Sequence, residues 1–236
     1  QFAPQTNEVA RSAALYPGMM QIAGQTGLPL ALYEVGASAG LNMNMGRYGY
    51  RLGGQEFGHS ESAVMLTPDW NRASLEGAEP VIHSRRGCDR NPMDVSNPEQ
   101  FERLISYVWP DQLDRLSRIE AACEIAQKYP LQIDKMDAAD WVDDMFSVPA
   151  EKGVVRVLYH SIAFQYFPDD SKNRITERMT RVGELATEET PVAWLAYELG
   201  EAGRPALTLR LWPGGDEQLL AIGDAHCRDI EWLLQT

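Results

Sequence analysis

LYEVGASAGLN, residues 32–42, decides the fold class of this chain. Its apolar start continues the preceding Leu-Pro-Leu-Ala, so that a short apolar run lies between Gly27 and Gly36. Apolar residues on both faces of such a run are typical of a strand that is buried in a parallel sheet. Gly36 and Gly40 then let the backbone turn sharply into a helix and approach a ligand closely. We therefore predict a strand–loop–helix unit that opens an α/β domain.

Strand-like and helix-like segments alternate along the rest of the chain, and strand-like segments cluster near its end. This order predicts a mostly parallel central sheet with helices on both faces and an antiparallel C-terminal edge. We expect one domain over residues 1–236, with an N-terminal helical cover over residues 1–27. The later predicted strands are PVIHSRRGCD (80–89), LQIDKMDA (131–138), VVRVLYHS (154–161), PVAWLAYEL (191–199), ALTLRLW (206–212) and EQLLAIGD (217–224), and the predicted helices span 94–106, 111–129 and 171–186, with another through Trp141.

A β-hairpin is expected as an insertion after the first strand–helix unit, within residues 47–66. GYRLGGQEFG, residues 49–58, carries Gly53-Gly54 at its centre, and paired glycines supply the positive φ angles of a tight turn.

The chain starts with Gln1 instead of Met, which indicates a fragment whose natural N-terminal region is missing.

The composition limits the classes of partner. Apolar residues make up 44% and charged residues 23% of the chain, as in an ordinary globular protein. The 34 acidic residues against 21 Lys and Arg give a net charge of −13, which disfavours nucleic acid and favours a small molecule. No apolar run is long enough to span a membrane, and the first residues are not a signal peptide. The three cysteines and four histidines are widely spaced, so that we expect reduced thiols in a cytoplasmic protein and no metal site.

The glycine loop indicates a particular ligand chemistry. Its spacing is Gly-x-x-x-Gly, with Ala37, Ser38 and Ala39 between the glycines, and differs from the Gly-x-Gly-x-x-Gly of dinucleotide sites. Glu34 precedes the first glycine by two residues, where a carboxylate would repel a pyrophosphate and attract an ammonium or sulfonium group. The alternative is a plain strand-to-helix turn with Glu34 in solvent.

Two further strand ends carry carboxylates. Asp89 ends the second predicted strand, where a carboxylate can accept hydrogen bonds from both ribose hydroxyls of an adenosine. Asp137 is followed by Ala138 and can accept a hydrogen bond from an adenine amino group. Each has an alternative role, because Asp89 can cap the turn before Asn91, and Asp137 can begin a solvated helix.

The strand VVRVLYHS supplies candidate catalytic residues. His160 and Ser161 end this strand and are expected to face the pocket, with Gln165 and Tyr166 one turn further on. His160 is a candidate general base, and a structural role for a lone histidine is the alternative.

The N-terminal segment supplies candidate substrate-binding residues. Asn7, Glu8 and Arg11 precede the first strand, on a helix that is expected to cover the pocket. Arg11 can pair with a carboxylate of cofactor or substrate, and a surface role is the alternative.

Taken in chain order, these segments resemble the successive motifs of class I S-adenosylmethionine-dependent methyltransferases. EVGASAG resembles the E/D-x-G-x-G-x-G loop, GCDRNP the acidic end of the second strand, MDAAD the adenine-side segment and VLYHSIAFQYF the strand-four motif. The set PQTNEVARSAAL, EVGASAGLN, RRGCDRNPMD, YVWPDQ, DAADW and LRLWPGG further resembles a bacterial family that is catalogued as domain of unknown function 2332. This second resemblance spans essentially the whole chain.

The first resemblance implies a Rossmann-like class I methyltransferase fold and S-adenosylmethionine as cofactor. Ser38 departs from the pattern, because it adds a side chain where the methyltransferases have their middle glycine. The implied function is methyl transfer to an acceptor that the sequence does not identify. The alternatives are a non-catalytic ligand-binding or interaction module with the same fold and, disfavoured by the glycine spacing, a dinucleotide-dependent oxidoreductase. The resemblance assigns the methionine part of the cofactor to Gly36, Ala37, Ser38, Gly40 and Leu41 with Glu34 behind them, the ribose to Asp89, and the adenine to Asp137 and Ala138.

Overall fold

A computed structural model describes residues 7–72, 74–109, 112–200 and 203–234. The strands in these ranges form a nine-stranded and a three-stranded sheet. The larger sheet contains β1 (Leu30–Val35), β5 (Asp69–Trp70), β6 (Ile82–Asp89), β7 (Gln132–Lys135), β8 (Val155–Ser161), β9 (Val192–Leu199), β10 (Pro205–Trp212), β11 (Glu217–Gly223) and β12 (Asp229–Trp232). The smaller sheet contains β2 (Gly49–Leu52), β3 (Gln55–Gly58) and β4 (Met65–Leu66).

The larger sheet is mixed and mostly parallel, with the order β5-β12-β11-β10-β9-β8-β1-β6-β7. The strands from β7 to β9 in this order run parallel, and β10, β11 and β12 continue the sheet antiparallel. All seven residues of β8 are buried, as expected for a central strand that is covered on both faces. The predicted parallel sheet with an antiparallel C-terminal edge is confirmed, and β12, which was not predicted, extends that edge.

Helices cover both faces of the larger sheet, as predicted. One apolar cluster joins Leu30 and Leu32 of β1 to the N-terminal helix, and a second joins Tyr33 and Val35 to two later helices. Successive strand residues point to opposite faces, so that these two clusters lie on opposite sides of β1. The helices are α1 (Ser12–Thr26), α2 (Pro98–Ser106), α3 (Leu113–Lys128), α4 (Ala138–Ser147) and α5 (Asp169–Glu184), and 3₁₀ turns span Val9–Arg11, Leu41–Arg47 and Phe164–Tyr166.

The predicted hairpin is present and belongs to the smaller sheet. β2 and β3 pair antiparallel across Gly53 and Gly54, whose φ angles are 57° and 81°. Tyr50 of β2 stacks on Tyr16 of α1 with 4.2 Å between the ring centroids, which fastens the smaller sheet to the N-terminal helix.

The start of α2 lies at Pro98, four residues later than predicted.

The order of the parallel strands reverses next to β1. The chain passes from β1 outward to β6 and β7 on one side, and later to β8 and β9 on the other. In open α/β sheets a crevice forms beyond the carboxyl ends of the strands at such a switch point, and ligands bind there. The residues that follow β1 and β8 therefore define where a functional site is expected.

Candidate functional site

A cavity of about 220 Å³ lies beyond the carboxyl ends of β1 and β8. It brings together most of the residues that the sequence predicts for the site, including the N-terminal ones. The predicted residues that line it are Asn7, Glu8, Arg11, Glu34, Gly36, Ala37, Ser38, Leu41, Asp89, Ser161 and Tyr166, and Asn42, Ile162, Ala163 and Phe167 line it as well. The predicted residues outside its lining are Gly40, Asp137, Ala138, His160 and Gln165.

The N–H groups of the glycine loop are bonded within the protein. Ala37 donates to the carbonyl of Cys88 at 3.0 Å, and Gly40 donates to the carbonyl of Ala37 at 2.7 Å. Ser38 donates to Oδ2 of Asp89 at 2.9 Å, and Ala39 donates to Oδ1 of Asn7 at 3.0 Å. A loop whose amides already have acceptors is a poor anion-binding nest, which argues against a pyrophosphate at this position.

Ser38 occupies the left-handed backbone region, with a φ of 52°. Glycine adopts this conformation without strain, and other residues rarely do. The side chain of Asn7 compensates, because its Nδ2 donates to Oγ of Ser38 at 2.8 Å while its Oδ1 accepts from Ala39. The extra side chain of Ser38 thus serves as an attachment point for the N-terminal segment.

We expect Asn7→Ala to speed hydrogen exchange at the amide of Ala39 about tenfold, because that amide loses its acceptor. The amide of Gly40 keeps its bond to the carbonyl of Ala37, so that its exchange rate should change little. NMR-detected exchange of both amides checks this, with Asn71→Ala as a control, since Asn71 contacts Trp232 at the sheet edge. An unchanged Ala39 rate in Asn7→Ala would contradict the proposed attachment.

Asp89 connects the second predicted strand to the glycine loop. Its Oδ2 accepts from Ser38, and its Oδ1 accepts from the N–H of Asn91 at 2.8 Å. The side chain therefore caps the turn before Asn91, which is the alternative role predicted for it from the sequence. It also lines the cavity.

Glu34 is a buried carboxyl group at the end of β1, with 3% of its surface exposed. Its Oε2 accepts a hydrogen bond from the hydroxyl of Tyr159 at 3.2 Å. Burial raises the pKa of Glu34 to about 8, with a smaller contribution from the charge of Asp89, although Tyr159 and Arg11 act in the opposite direction. The alternative that Glu34 lies in solvent is wrong, and a protonated carboxyl group faces the cavity at neutral pH.

Arg11 is a buried cation that also lines the cavity, with 7% of its surface exposed. Its Nε donates to the carbonyl of Ala225 and its Nη1 to the carbonyl of Ser161, both at 3.1 Å. It forms no ion pair within 4.0 Å with any carboxylate that the structure describes. A guanidinium has five N–H donors, so that further donors remain for an anion in the cavity.

Glu8 lines the cavity but directs its carboxylate elsewhere. It accepts from Nδ1 of His226 at 2.7 Å and lies 3.0 Å from Nε of Arg115 and 3.8 Å from Nη2 of Arg118. Burial opposes its ionisation, and the hydrogen bond with His226 and the two arginine charges overcome this and lower its pKa. Glu8 thus anchors the N-terminal segment to α3, and its carboxylate is already occupied.

His160 is buried beside the cavity, with 1% of its surface exposed. Nε1 of Trp194 donates to its Nε2 at 2.9 Å, so that the ring proton lies on Nδ1, which is 2.7 Å from Oε1 of Glu198. Phe164 stacks on the ring at 4.7 Å between centroids. Both nitrogens therefore have partners inside the protein, which favours the structural alternative for this histidine.

Glu198 near the end of β9 was missed by the sequence analysis. Besides contacting His160, its Oε1 accepts from the N–H groups of Ala163 at 2.9 Å and Phe164 at 3.0 Å. These bonds fix the turn that follows β8 and lines the cavity. The hydrogen bond with His160 helps to lower the pKa of Glu198 in spite of its burial. A lone carboxylate in the otherwise apolar strand VAWLAYEL was the available signal.

The other predicted residues divide between the cavity and the helix starts. Asp137 is the N-cap of α4 and accepts from the N–H of Ala139 at 2.9 Å. It therefore begins a helix, which is the alternative role predicted for it from the sequence. Ala138 is buried in the core on that side. Tyr166 lies at the cavity with 75% of its surface exposed, whereas Gln165 lies outside the lining.

Comparison with known proteins gives a family for this arrangement. A family model described as "Uncharacterized protein conserved in bacteria (DUF2332)" matches residues 1–232. The chain belongs to this family. No curated protein and no solved structure matches the chain significantly.

Metal-binding clusters and membrane-spanning helices are both absent from the described ranges of this family member. No group of three or more His, Cys, Asp or Glu residues in those ranges is arranged to hold a metal ion. Among the same residues, no helix has the length and apolar character that crossing a membrane requires.

Proposed function

We propose that this protein is an S-adenosylmethionine-dependent methyltransferase with a small-molecule acceptor. One observation carries the proposal: Arg11 and Glu34 line the same cavity at the switch point of the sheet. Arg11 offers a buried cation without a carboxylate partner among the described residues, and Glu34 offers a buried carboxyl group. An α-amino acid carries a carboxylate and an ammonium group on one carbon and matches both side chains.

The residues present fit the amino-acid end of that cofactor. A guanidinium binds a carboxylate through two parallel N–H bonds, which Arg11 can supply with its remaining donors. Glu34 would ionise beside an ammonium group, because a nearby positive charge favours the charged carboxylate. A cavity of about 220 Å³ is smaller than the usual pocket for a whole drug-sized ligand. We therefore assign the amino-acid end to the cavity and the nucleoside to its rim at Asp89 and Tyr166.

The protein's part in the reaction is binding, alignment and exclusion of water. S-adenosylmethionine would supply an electrophilic methyl group, and its transfer is an in-line displacement that depends on alignment more than on acid–base catalysis. Glu198 supports alignment because it holds the turn after β8. Both nitrogens of His160 are engaged, and we therefore assign no general base to it.

A second candidate is a ligand-binding module without turnover. The observation that favours it is the closed glycine loop, where Asn7 and Asp89 already accept from the amides of Ala39 and Ser38. Such a loop binds its ligand with side chains alone, and a methyl acceptor is not required. A dinucleotide would bring its pyrophosphate against amides whose N–H groups already have acceptors within the protein, which disfavours an oxidoreductase.

Isothermal titration calorimetry with S-adenosylmethionine, S-adenosylhomocysteine and NAD tests the proposal. We expect both sulfur nucleotides to bind the folded protein and NAD not to bind. Absence of binding by both sulfur nucleotides would refute the methyltransferase. Binding of S-adenosylmethionine without methyl transfer to any acceptor in a small-molecule extract would instead support the non-catalytic module.

A further inference from the structure

A second cleft, of about 420 Å³, lies at the opposite end of β6 from Asp89. Its lining is polar and basic and includes Arg47, His83, Ser84 and Arg85. His83 to Arg85 belong to the first half of β6, and Arg47 ends the 3₁₀ turn that follows the glycine loop. None of the residues that line this cleft also lines the cavity of the proposed methyltransferase site.

Arg85 lies in this cleft without a carboxylate partner among the described residues. Its Nη1 donates to the carbonyl of Met43 at 3.4 Å and to Oδ1 of Asn44, which leaves Nε and Nη2 for other acceptors. Burial and then the positive charge of Arg47 lower the pKa of Arg85, which places the two cations close together. Two arginines that repel each other in a shared cleft are stabilised by an anion between them.

Arg47 is held in place by an aromatic ring and also has no ion pair within the described part of the chain. Its guanidinium lies 3.5 Å from the ring centroid of Tyr129, and Nζ of Lys128 lies 5.6 Å from the same centroid. Stacking fixes the plane of the guanidinium and leaves its N–H edge available. This preorganisation lowers the entropic cost of binding an anion.

The surrounding acidic groups do not neutralise this cleft. Glu151 contacts His83 at 3.2 Å, and its side chain is largely exposed. The protein has 34 acidic residues against 21 Lys and Arg, yet among the residues that the structure describes no acidic side chain lines this cleft. A cationic cleft in a protein of net charge −13 is therefore a local feature and does not follow from the overall composition.

We propose that the cleft between Arg47 and Arg85 binds a small, multiply charged anion, carried by a phosphate or a polycarboxylate. Both guanidinium groups can form charge-assisted bonds with such a group, and the proximity of two cations favours an anion with at least two negative charges. The cleft admits a small metabolite. A nucleic acid needs several phosphate contacts along a basic surface, which the strongly negative chain does not provide.

Calorimetry of the whole chain with inorganic pyrophosphate and, separately, with citrate tests this site. We expect at least one of the two to bind the wild type with a dissociation constant of about 1 mM or lower. Arg47→Gln should weaken that binding about tenfold or more, since it removes one of the two cations without touching the bonds of Arg85. Arg51→Gln is the matched control, because Arg51 is exposed and pairs with Glu56 on the hairpin. Pyrophosphate alone would indicate a phosphate ligand, and citrate alone a polycarboxylate.

The site would be refuted if neither anion binds, or if Arg47→Gln binds as tightly as the wild type. Displacement of the anion by a short single-stranded oligonucleotide at equal phosphate concentration would favour nucleic acid and overturn the small-molecule assignment. A second variant, Arg85→Lys, keeps the charge and loses the forked geometry, so that it should weaken binding less than Arg47→Gln. Binding of S-adenosylhomocysteine should be unchanged in Arg47→Gln, which separates this site from the proposed methyltransferase site.

Discussion

Arg11→Met is expected to weaken the binding of S-adenosylhomocysteine about 100-fold. Under the proposed function, Arg11 is the partner of the ligand carboxylate, and removing one member of a buried, hydrogen-bonded charge pair costs about 2–5 kcal/mol. Methionine fills much of the same space, but it cannot donate to the carbonyls of Ala225 and Ser161. The free energy of unfolding should therefore also fall by about 1–3 kcal/mol, and the titration is performed where circular dichroism shows the variant folded.

A ligand without the amino-acid end separates loss of recognition from loss of structure. 5′-Methylthioadenosine carries the nucleoside and the thioether and has no carboxylate, so that Arg11→Met should bind it nearly as well as the wild type does. Arg181→Met is the control variant, because Arg181 is an exposed residue on α5. Equal losses for both ligands would show that Arg11 acts on the structure of the site and not on the carboxylate, and unchanged binding of both would refute its assignment.

The strand pattern was predictable because burial imposes a simple rule on each segment. Apolar runs bounded by glycine, such as the one before Gly36, have to lie inside a sheet, and alternating helices supply the crossovers between parallel strands. The ends of the elements were less predictable. α2 starts at Pro98 because Asn97 accepts hydrogen bonds from the N–H groups of Glu99 and Gln100, and several polar residues before it could have served as caps.

The orientation of His160 could not be predicted, because β8 gives no alternation. Every residue of Val155–Ser161 is buried, so that apolar and polar positions do not distinguish the two faces of the strand. The side chain points to Trp194 and Glu198 on the adjacent strand β9. A sequence cannot identify these partners, which lie more than 30 positions away.

The cavity's polar residues were predictable as residue types at strand ends, but their partners were not. Glu34 and Asp89 follow from the rule that ligands bind beyond the carboxyl ends of parallel strands. That Asp89 also holds the amide of Ser38 depends on the folded path of two segments 51 positions apart. The burial of Arg11 depends likewise on the C-terminal loop, where the carbonyl of Ala225 meets it across 214 positions.

Glu34→Gln is expected to remove the pH dependence that this carboxyl group gives to the free energy of unfolding. The pKa of Glu34 is raised from 4.5 to about 8 by burial, so that the folded state holds a proton that the unfolded state loses. Stability that is fully present below the unfolded pKa is therefore lost as the pH rises towards the folded pKa. Between pH 4.5 and about 8, the free energy of unfolding of the wild type should therefore fall, relative to that of Glu34→Gln, by on the order of 5 kcal/mol. Urea denaturation of both proteins at a series of pH values measures the difference, and parallel curves would contradict the raised pKa.

Ligand binding turns the same carboxyl group into a source of protons. If the ammonium group of the ligand binds Glu34, its positive charge favours the carboxylate, and the bound proton has to leave. Binding of S-adenosylhomocysteine near neutral pH should therefore release up to one proton from the wild type and none from Glu34→Gln. Titrations in buffers of different ionisation enthalpy measure this number. Equal proton release in the two proteins would mean that the ligand does not ionise Glu34, even if the stability curves establish its raised pKa. The two measurements thus separate the electrostatics of the fold from the role of Glu34 in recognition.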